Sequence, residues 1–296
     1  MAATPNACVE PREAQALSED RLRRPEAVPE PVGPASIPLS LRGLTKPHPQ
    51  LSILVPVYNE RDTILRVLDK IGRVSFPAAT ETIVVDDGST DGTAEVLRAL
   101  PPVDHTRVYF HAENRGKGAA VRTALDHARG DIIVIQDADE ELEPAELLPM
   151  LKCVAGGESD ACYGSRFAGD NRRFWLHTNY WANRLLNGLC NLLNGLHLTD
   201  MNTCYKMMRR DLARRLELVS AGFAMEPEIT TKLARMGVRI VEFPVTYRPR
   251  SKAQGKKIRS PEFFRYLAGM FRFRFGRQHR GSACAVPPPL PEIAAR

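Results

Sequence analysis

The 296-residue sequence lacks the features that mark membrane-spanning and secreted proteins. It has no apolar run approaching the roughly 18 residues that a membrane-spanning helix requires. Its N-terminus has no apolar core of the kind found in signal peptides. Its six cysteines include no Cys-x-x-Cys pair and no zinc-type spacing with histidine. These absences predict free thiols, no signal peptide, no transmembrane helix and a cytoplasmic location.

Proline-rich segments mark both ends of the chain. Residues 1–50 contain nine prolines without a sustained apolar periodicity, and prolines cluster again in residues 281–296. Such segments bury too little apolar surface to offset the entropy that is lost when they order. The predicted organisation is a disordered leader (1–50), a folded domain (51–260), a basic amphipathic helix (261–280) and a disordered tail (281–296).

Positive charge is concentrated towards the C-terminus. The formal net charge is +6, and residues 248–280 contain eleven lysines and arginines but one acidic residue, Glu262. Anionic membrane surfaces attract such segments with about 1 kcal/mol per basic residue near the surface. Because phenylalanines stand among arginines in the helix predicted over 261–275, we expect that helix to bind peripherally to an anionic membrane.

Short apolar runs alternate with helical patterns along the folded region. Predicted strands cover 51–58, 82–85, 108–110, 132–135 and 238–245, and predicted helices include one with Ile64, Leu65, Leu68 and Ile71 on one face and others over 117–129 and 226–236. The alternation is typical of βαβ units, so it predicts an α/β fold in which helices cover both faces of a mostly parallel sheet. Ligands of such sheets bind outside the carboxyl ends of the strands.

A further helix, predicted over 183–197, carries six leucines along one face. Three asparagines, Asn187, Asn191 and Asn194, lie off that face. We interpret the leucine stripe as packing into the core, and the alternative is a helix that lies in a membrane interface.

Two aspartates, Asp137 and Asp139, directly follow the predicted strand 132–135, and the small Ala138 lies between them. Carboxylates one residue apart at a strand end can bind one hard cation such as Mg²⁺ or Mn²⁺, whose other ligands are usually water and substrate phosphates. The alternative is a solvated acidic loop, since further glutamates follow. Polar residues at neighbouring strand ends favour the cation site.

Two of those neighbouring strand ends carry polar side chains as well. Asp86 and Asp87 end the second strand, and Asp87 could accept hydrogen bonds from a base or a ribose. Pro56, Tyr58 and Glu60 end the first strand, where the proline can keep the backbone extended beside a flat ring. These residues predict a nucleoside site at the sheet edge.

The turn at residues 114–118 is basic and rich in glycine. Its backbone amides and Lys117 suit a phosphate group at the start of the following helix. A plain loop before a helix is the alternative.

Five motifs resemble family 2 glycosyltransferases of the GT-A fold: VPVYNE, IVVDDGSTDGT, ENRGKGAAVRTAL, IQDADEELEP and YGSRF. Three later motifs resemble the dolichol-phosphate mannosyltransferase-like branch of that family: TDMNTCYKMM, AMEPEITTKLAR and RSKAQGKKI. Members of this branch transfer a sugar from a nucleotide to a polyprenyl phosphate. The resemblance covers residues 51–258, so it implies a Rossmann-like GT-A domain over most of the folded region.

The resemblance also implies roles for individual residues. It implies a nucleotide-sugar pocket formed by Pro56, Tyr58, Glu60, Asp86, Asp87, Lys117, Asp137, Ala138 and Asp139. It implies metal ligation by Asp137 and Asp139, with Glu141 as a third carboxylate. It implies that Arg166 and Arg184 contact the acceptor phosphate and that Arg250 and Lys256 close over the diphosphate. The residues expected to carry catalysis are Asp137, Asp139, Arg166 and Arg184.

The expected reaction is metal-dependent, inverting transfer of mannose or glucose from GDP-mannose or UDP-glucose to dolichyl or undecaprenyl monophosphate at the cytoplasmic face of a membrane. A phosphomonoester needs no general base, because its second pKa near 6 leaves it mostly dianionic at neutral pH. One alternative is a hydroxyl acceptor on a glycan, protein or small molecule in envelope polysaccharide synthesis, with Asp200 as the candidate base. Binding of nucleic acid is a second alternative, disfavoured because no nucleic-acid module is present and the acidic loop would repel phosphate.

Overall fold

The structure of the chain, a computed structural model, describes residues 50–103, 105–168, 179–249 and 260–276. The predicted tail at 281–296 and the predicted leader, apart from Gln50, lie outside these residues. The elements in chain order are β1 (Leu51–Val57), α1 (Ile64–Arg73), β2 (Thr80–Asp86), α2 (Thr93–Arg98), β3 (Thr106–Phe110), α3 (Lys117–His127), β4 (Ile132–Ile135), a 3-10 turn (Pro144–Glu146), α4 (Leu147–Ala155), β5 (Ala161–Ser165), α5 (Asn179–Asn194), β6 (Lys206–Arg209), α6 (Arg210–Arg215), α7 (Met225–Arg235), β7 (Ile240–Pro244) and α8 (Ser260–Phe275).

The seven strands form one sheet in the order β3-β2-β1-β4-β6-β5-β7. Every pairing is parallel except those of β6, which runs antiparallel to both β4 and β5. Because β6 is reversed, its first residue, Lys206, lies at the same edge as the carboxyl ends of the other strands. The predicted α/β fold with a mostly parallel sheet is confirmed.

Helices cover both faces of the sheet, as the alternating burial of the strands requires. Ile53 and Val55 of β1 face the layer formed by α1, α2 and α4, whereas Leu54 faces the layer formed by α3, α6 and α7. The strands β1, β2 and β4 are buried on both faces, and for this reason their sequences are nearly continuous apolar runs.

The structure differs from the sequence predictions in two respects. In α1, Ile64, Val67 and Ile71 are the buried residues, whereas Leu65 is 45% exposed. The i, i+3, i+7 spacing of the buried set defines a face that Leu65 does not share. The sequence patterns also did not predict α2, α4, β5, β6 or α6, which are short elements of four to nine residues.

The leucine helix α5 packs differently from the expectation. Leu186 is buried against Tyr266 of α8, but Leu185 and Leu192 are 70% and 80% exposed. Asn187 is buried instead, where its side chain bonds to the backbone of Leu198 and Met201. The prediction that the whole leucine face enters the core was wrong, because α5 uses its polar side chains to hold the following loop.

No helix within the described parts of the chain combines the length and apolar content needed to cross a bilayer.

Candidate active site

The candidate site lies at the edge where the parallel strands end. Asp86 ends β2, Asp137 follows β4 and Arg166 follows β5, while Lys206 begins the reversed strand β6. The parallel topology therefore brings together side chains that are up to 120 positions apart in the sequence.

Lys117 lies between two carboxylates at this edge. Its Nζ is 2.9 Å from Asp137 Oδ1 and 3.1 Å from Glu226 Oε1. Burial opposes the charged ammonium, but Asp137 and Glu226 outweigh it and raise the pKa of Lys117 well above its usual value. Burial likewise opposes ionisation of Asp137, yet the Lys117 ammonium lowers the pKa of that carboxyl. Asp137 is thus held as an anion, as a metal ligand must be.

Glu226 and Lys206 form the buried part of this network. The Lys206 side chain is fully buried, and its Nζ bonds to Glu226 Oε2 and to the carbonyl oxygens of Met201 and Thr203. Neither residue was predicted from the sequence to belong to the site. Both stand inside quoted motifs, but a glutamate in the first turn of a helix also has an ordinary role there.

The Asp137–Asp139 segment has the donor chemistry that a hard cation requires, since both side chains are carboxylates at one loop. Asp139 Oδ1 accepts a bond from the backbone N of Glu141 at 3.3 Å. In the described part of the chain, no group of three or more His, Cys, Asp or Glu side chains is arranged to hold a metal ion. A cation held by Asp137 and Asp139 would therefore need water and phosphate oxygens as further ligands.

The other acidic residues of this loop have protein partners. Glu141 accepts a hydrogen bond from the Tyr247 hydroxyl, and burial together with this carboxylate raises the pKa of Tyr247. Glu140 pairs with Arg66 at 2.7 Å on the surface. Glu141 stays a prediction as a third metal ligand.

Asp87 has the role of an anchor for the glycine-rich turn. Its Oδ1 is 2.6 Å from His111 Nδ1 and accepts the backbone N–H of Arg115 at 3.0 Å, while Oδ2 accepts that of Gly116 at 2.7 Å. Burial opposes ionisation, but these bonds prevail and lower the pKa of Asp87. His111, which sequence reasoning missed, completes the anchor.

Asp86 differs from its neighbour. Its Oδ1 is buried and has no hydrogen-bond partner among the described residues, and burial raises its pKa. An orphaned acceptor costs free energy unless another group supplies a donor.

The end of β1 lies beside this pair. Pro56 and Val57 are in register with Val85 and Asp86 of β2. Asn59 links the two loops, because its N–H bonds to Ser89 Oγ at 2.9 Å and its Oδ1 accepts Thr90 N–H at 2.8 Å.

The other two predicted residues of this strand end differ in exposure. Tyr58 is half-buried, whereas Glu60 is buried and accepts a bond from Thr63 Oγ1 at 2.8 Å. Pro56, Tyr58 and Glu60, the residues predicted for a nucleoside pocket, thus lie at or just beyond the end of β1, the strand that pairs with β2 and its Asp86.

The glycine-rich turn also makes a close backbone contact. A Cβ on Gly118 would lie 2.2 Å from the carbonyl oxygen of Ser220, and one on Gly116 would lie 2.5 Å from that of Ala221. Glu228 fixes the opposing loop by accepting the backbone N–H groups of Val219 and Ser220, both at 2.8 Å. Packing therefore accounts for these glycines.

Arg166 and Asp200 form a bidentate ion pair. Arg166 Nε is 2.7 Å from Asp200 Oδ2, the second guanidinium nitrogen is 2.9 Å from Oδ1, and the Arg166 backbone N–H also bonds to Oδ2. Burial opposes the guanidinium charge, but Asp200 raises its pKa further above the usual value. Tyr247 lies beneath the guanidinium, 5.3 Å away. Both oxygens of Asp200, the candidate base, are thus bonded to a cation.

Three further cations were predicted to belong to the site: Arg184, Arg250 and Lys256. Arg184 is exposed on α5. Arg250 and Lys256 lie outside the described residues.

Residues 52–217 match the sequence model of the family described as Glycosyl transferase family 2. The chain belongs to this family. The resemblance that the motifs indicated is confirmed. The region that matches the family model runs from β1 of this glycosyltransferase to the loop that follows α6.

Two curated relatives are similar over most of this family 2 glycosyltransferase. Glycosyltransferase AglD of Haloferax volcanii is 30% identical over 217 residues, which cover 71% of this chain and 35% of AglD. Polyprenol monophosphomannose synthase of Mycolicibacterium smegmatis is 30% identical over 232 residues, which cover 74% of this chain and 86% of that enzyme. The chain thus spans about a third of the first relative and most of the second.

A solved structure confirms the GT-A fold of the glycosyltransferase. It is glucosyl-3-phosphoglycerate synthase from Mycobacterium tuberculosis in complex with Mn²⁺, UDP-glucose and phosphoglyceric acid. It is 21% identical, and the superposition, with a TM-score of 0.58, covers 79% of this chain and 81% of that one.

Proposed function

We propose that this glycosyltransferase transfers a hexose, mannose or glucose, from GDP-mannose or UDP-glucose to a polyprenyl monophosphate, with inversion and with Mg²⁺ or Mn²⁺. The observation that carries the proposal is the Arg166–Asp200 pair. The best-placed candidate base is fully engaged by a guanidinium, which suits an acceptor that is already an anion. The similarity to polyprenol monophosphomannose synthase supports the same acceptor class.

The donor end of the reaction is assigned to Asp137, Asp139 and Lys117. A divalent cation bound to the two aspartates would neutralise charge that develops on the departing nucleoside diphosphate. Lys117, at the first position of α3, supplies a further positive charge at a helix N-terminus. The orphaned Asp86 Oδ1, in register with Val57, gives the strand ends an acceptor for an N–H or O–H group of the nucleoside.

The acceptor end is assigned to Arg166, with Arg184 as a second cation. Asp200 orients the Arg166 guanidinium by two bonds, and Glu242 orients Asp200 by accepting its backbone N–H at 2.9 Å. A guanidinium held in this way can position a phosphate oxygen without reorganising. Arg250 and Lys256 belong to this proposal as cations that close over the diphosphate.

Peripheral binding to an anionic membrane is the third part of the proposal. Phe271 and Phe275 of α8 are exposed next to the exposed Arg272, and α8 packs on α5. On α5, the exposed Leu185 and Leu192 lie within about 20° of one another around the helix axis, and the helix contains no acidic residue. Such apolar faces with basic neighbours suit a lipid surface at the cytoplasmic side.

The test is transfer of labelled sugar to a short-chain polyprenyl phosphate by the full chain, with GDP-mannose and UDP-glucose supplied separately and with or without a chelator. We expect chelator-sensitive product from one donor, and a loss of at least about a hundredfold in Asp139→Asn. Glu140→Gln is the matched control, because Glu140 is the adjacent acid and pairs with Arg66 on the surface.

Donor hydrolysis without a lipid product would instead favour a hydroxyl acceptor. The variant Asp200→Asn would then test whether Asp200 is the base that activates this hydroxyl. For the membrane part, we expect Phe275→Ser and Leu192→Ser to reduce flotation with anionic vesicles, whereas Leu65→Ser on α1 should leave flotation unchanged. Equal flotation of all variants would contradict the assigned faces.

A further inference from the structure

Glu226 lies between the buried Lys206 and the half-buried Lys117. Its carboxylate bonds to Lys206 through Oε2 and to Lys117 through Oε1, and the residue is 4% exposed. Across Lys117 it faces Asp137, so four groups of alternating charge lie in a row from the candidate metal loop into the interior.

The position of Glu226 is fixed by its buried partner, Lys206. Lys206 is held by two backbone carbonyls of the loop that precedes β6, those of Met201 and Thr203. The same loop carries the buried Cys204, and burial together with the Asp137 carboxylate raises the pKa of its thiol. Asp137 is thus linked through Lys117 to Glu226, and Glu226 is linked through Lys206 to this loop.

The charges in this row determine how firmly Lys117 holds Asp137. The Lys117 ammonium has two carboxylate partners at nearly equal distances, so it keeps one close anion when it moves away from Asp137. If Glu226 were neutral, Asp137 would be the one close anion left to Lys117 in the row, and separating the two would cost more free energy. An ammonium on Asp137 occupies a carboxylate that a divalent cation would need.

We propose that Glu226 is a positioning residue: by sharing the Lys117 ammonium with Asp137, it leaves Asp137 able to exchange that ammonium for a divalent cation. Lys117 then keeps Glu226 as a partner and is not left as an unpaired buried charge. The inference rests on the proposed function, because it concerns the cation assigned to Asp137 and Asp139.

The experiment measures Mn²⁺ binding to the full chain without donor, by the loss of the free Mn²⁺ signal in electron paramagnetic resonance. We expect Glu226→Gln to weaken Mn²⁺ binding about tenfold, because Lys117 competes more strongly for Asp137. Lys117→Met should tighten Mn²⁺ binding, because the competing ammonium is gone. In transfer assays, Glu226→Gln should need more Mn²⁺ for half-maximal rate while the rate at saturating Mn²⁺ changes little.

Two further variants separate this role from a purely structural one. Glu228→Gln makes the same change two residues away on α7, where the carboxylate binds a backbone loop and Lys232 instead of Lys117. It should lower thermal stability and leave Mn²⁺ binding unchanged. Glu226→Gln combined with Lys206→Met removes both buried charges, so it should fold better than Glu226→Gln alone and still bind Mn²⁺ weakly.

Unchanged Mn²⁺ affinity in both Glu226→Gln proteins, or shifts of the same sign in Glu226→Gln and Lys117→Met, would overturn this inference alone. Absence of Mn²⁺ binding to the wild-type chain, with and without donor, would overturn the proposed metal requirement and this inference together.

Discussion

The N-terminal half of the site, from β1 to β4, and the C-terminal half, from β5 to α8, hold their polar groups in different ways. In the N-terminal half, Asp87 is bonded to two backbone amides and one imidazole. In the C-terminal half, Asp200 is bonded to the half-buried Arg166, and Glu226 is bonded to the buried Lys206. Asp87 thus depends on backbone geometry, whereas Asp200 and Glu226 depend on charge compensation.

The difference follows from the topology of the two halves. In the N-terminal half, the glycine-rich turn between β3 and α3 points the backbone N–H groups of Arg115 and Gly116 at Asp87, which follows β2. In the C-terminal half the strand direction reverses at β6, and the loop before it places Lys206 in the interior. A buried lysine requires an anion, and α7 supplies it.

The strongest test of this contrast is Lys206→Met. The substitution removes a fully buried ammonium, leaves the Glu226 carboxylate with Lys117 as its other close cation, and deprives two carbonyls of a donor. We expect the free energy of unfolding to fall by about 3 kcal/mol, measured by urea denaturation. Lys152→Met on the exposed side of α4 should change it by less than about 0.5 kcal/mol. A similar small change in both variants would remove the distinction between the halves.

A smaller effect is expected at the contact between the halves. Gly118→Ala places a methyl group 2.2 Å from the Ser220 carbonyl oxygen, so the loop that Glu228 holds must move. We expect a loss of about 1–3 kcal/mol in the free energy of unfolding and a weaker donor affinity. In α5, a Cβ added at Gly188 would have no neighbouring atom of the surrounding structure within 4 Å. Gly188→Ala should therefore raise the free energy of unfolding by up to about 1 kcal/mol, because alanine has the higher helix propensity. Equal behaviour of the two variants would show that the halves do not depend on this contact.

The smallest effect concerns the pH dependence of Asp87. Its pKa in the folded chain lies below that of an unfolded chain, so the unfolded state takes up the proton first as the pH falls. The stability that Asp87 contributes is therefore fully present above about pH 5 and is lost as the pH falls through the folded-state pKa. Urea denaturation at pH 7, 5 and 4 should show that the free energy of unfolding falls less with decreasing pH in Asp87→Asn than in the wild type. Parallel curves would mean that this half does not depend on the Asp87 charge; Asp211→Asn, exposed on α6, is the control.

The sequence alone located the main strands of the N-terminal half and identified the family to which the chain belongs, but it did not predict α2 or the role of His111. Apolar runs followed by polar clusters located β1, β2 and β4 within two residues of their observed bounds, and Asp86, Asp87 and Asp137 at their ends. Signals of this kind are local, because a strand buried on both faces must be apolar and a ligand-binding turn must be polar.

The C-terminal half was less accessible to the same reasoning. The short strands β5 and β6 contain glycine, serine, lysine and arginine, so their sequences lack an apolar run. In α5, the expectation that leucines enter the core failed because burial of Asn187 is decided by backbone groups of a loop eleven or more residues away. The apolar periodicity of a helix sequence contains no information about such a hydrogen bond to a distant loop.

The amino-acid sequence by itself determined the fold class, the family and the identity of the carboxylates that end the strands, because each of these leaves a local pattern of apolar and polar residues. The tertiary structure alone decided which of these charges act on one another. Lys117, Asp137, Glu226 and Lys206 lie far apart in the chain, and they form one row because a reversed strand and a helix from the second half meet the first half at the sheet edge. Electrostatic pairing depends on distance in space, and that distance is fixed only when the chain has folded.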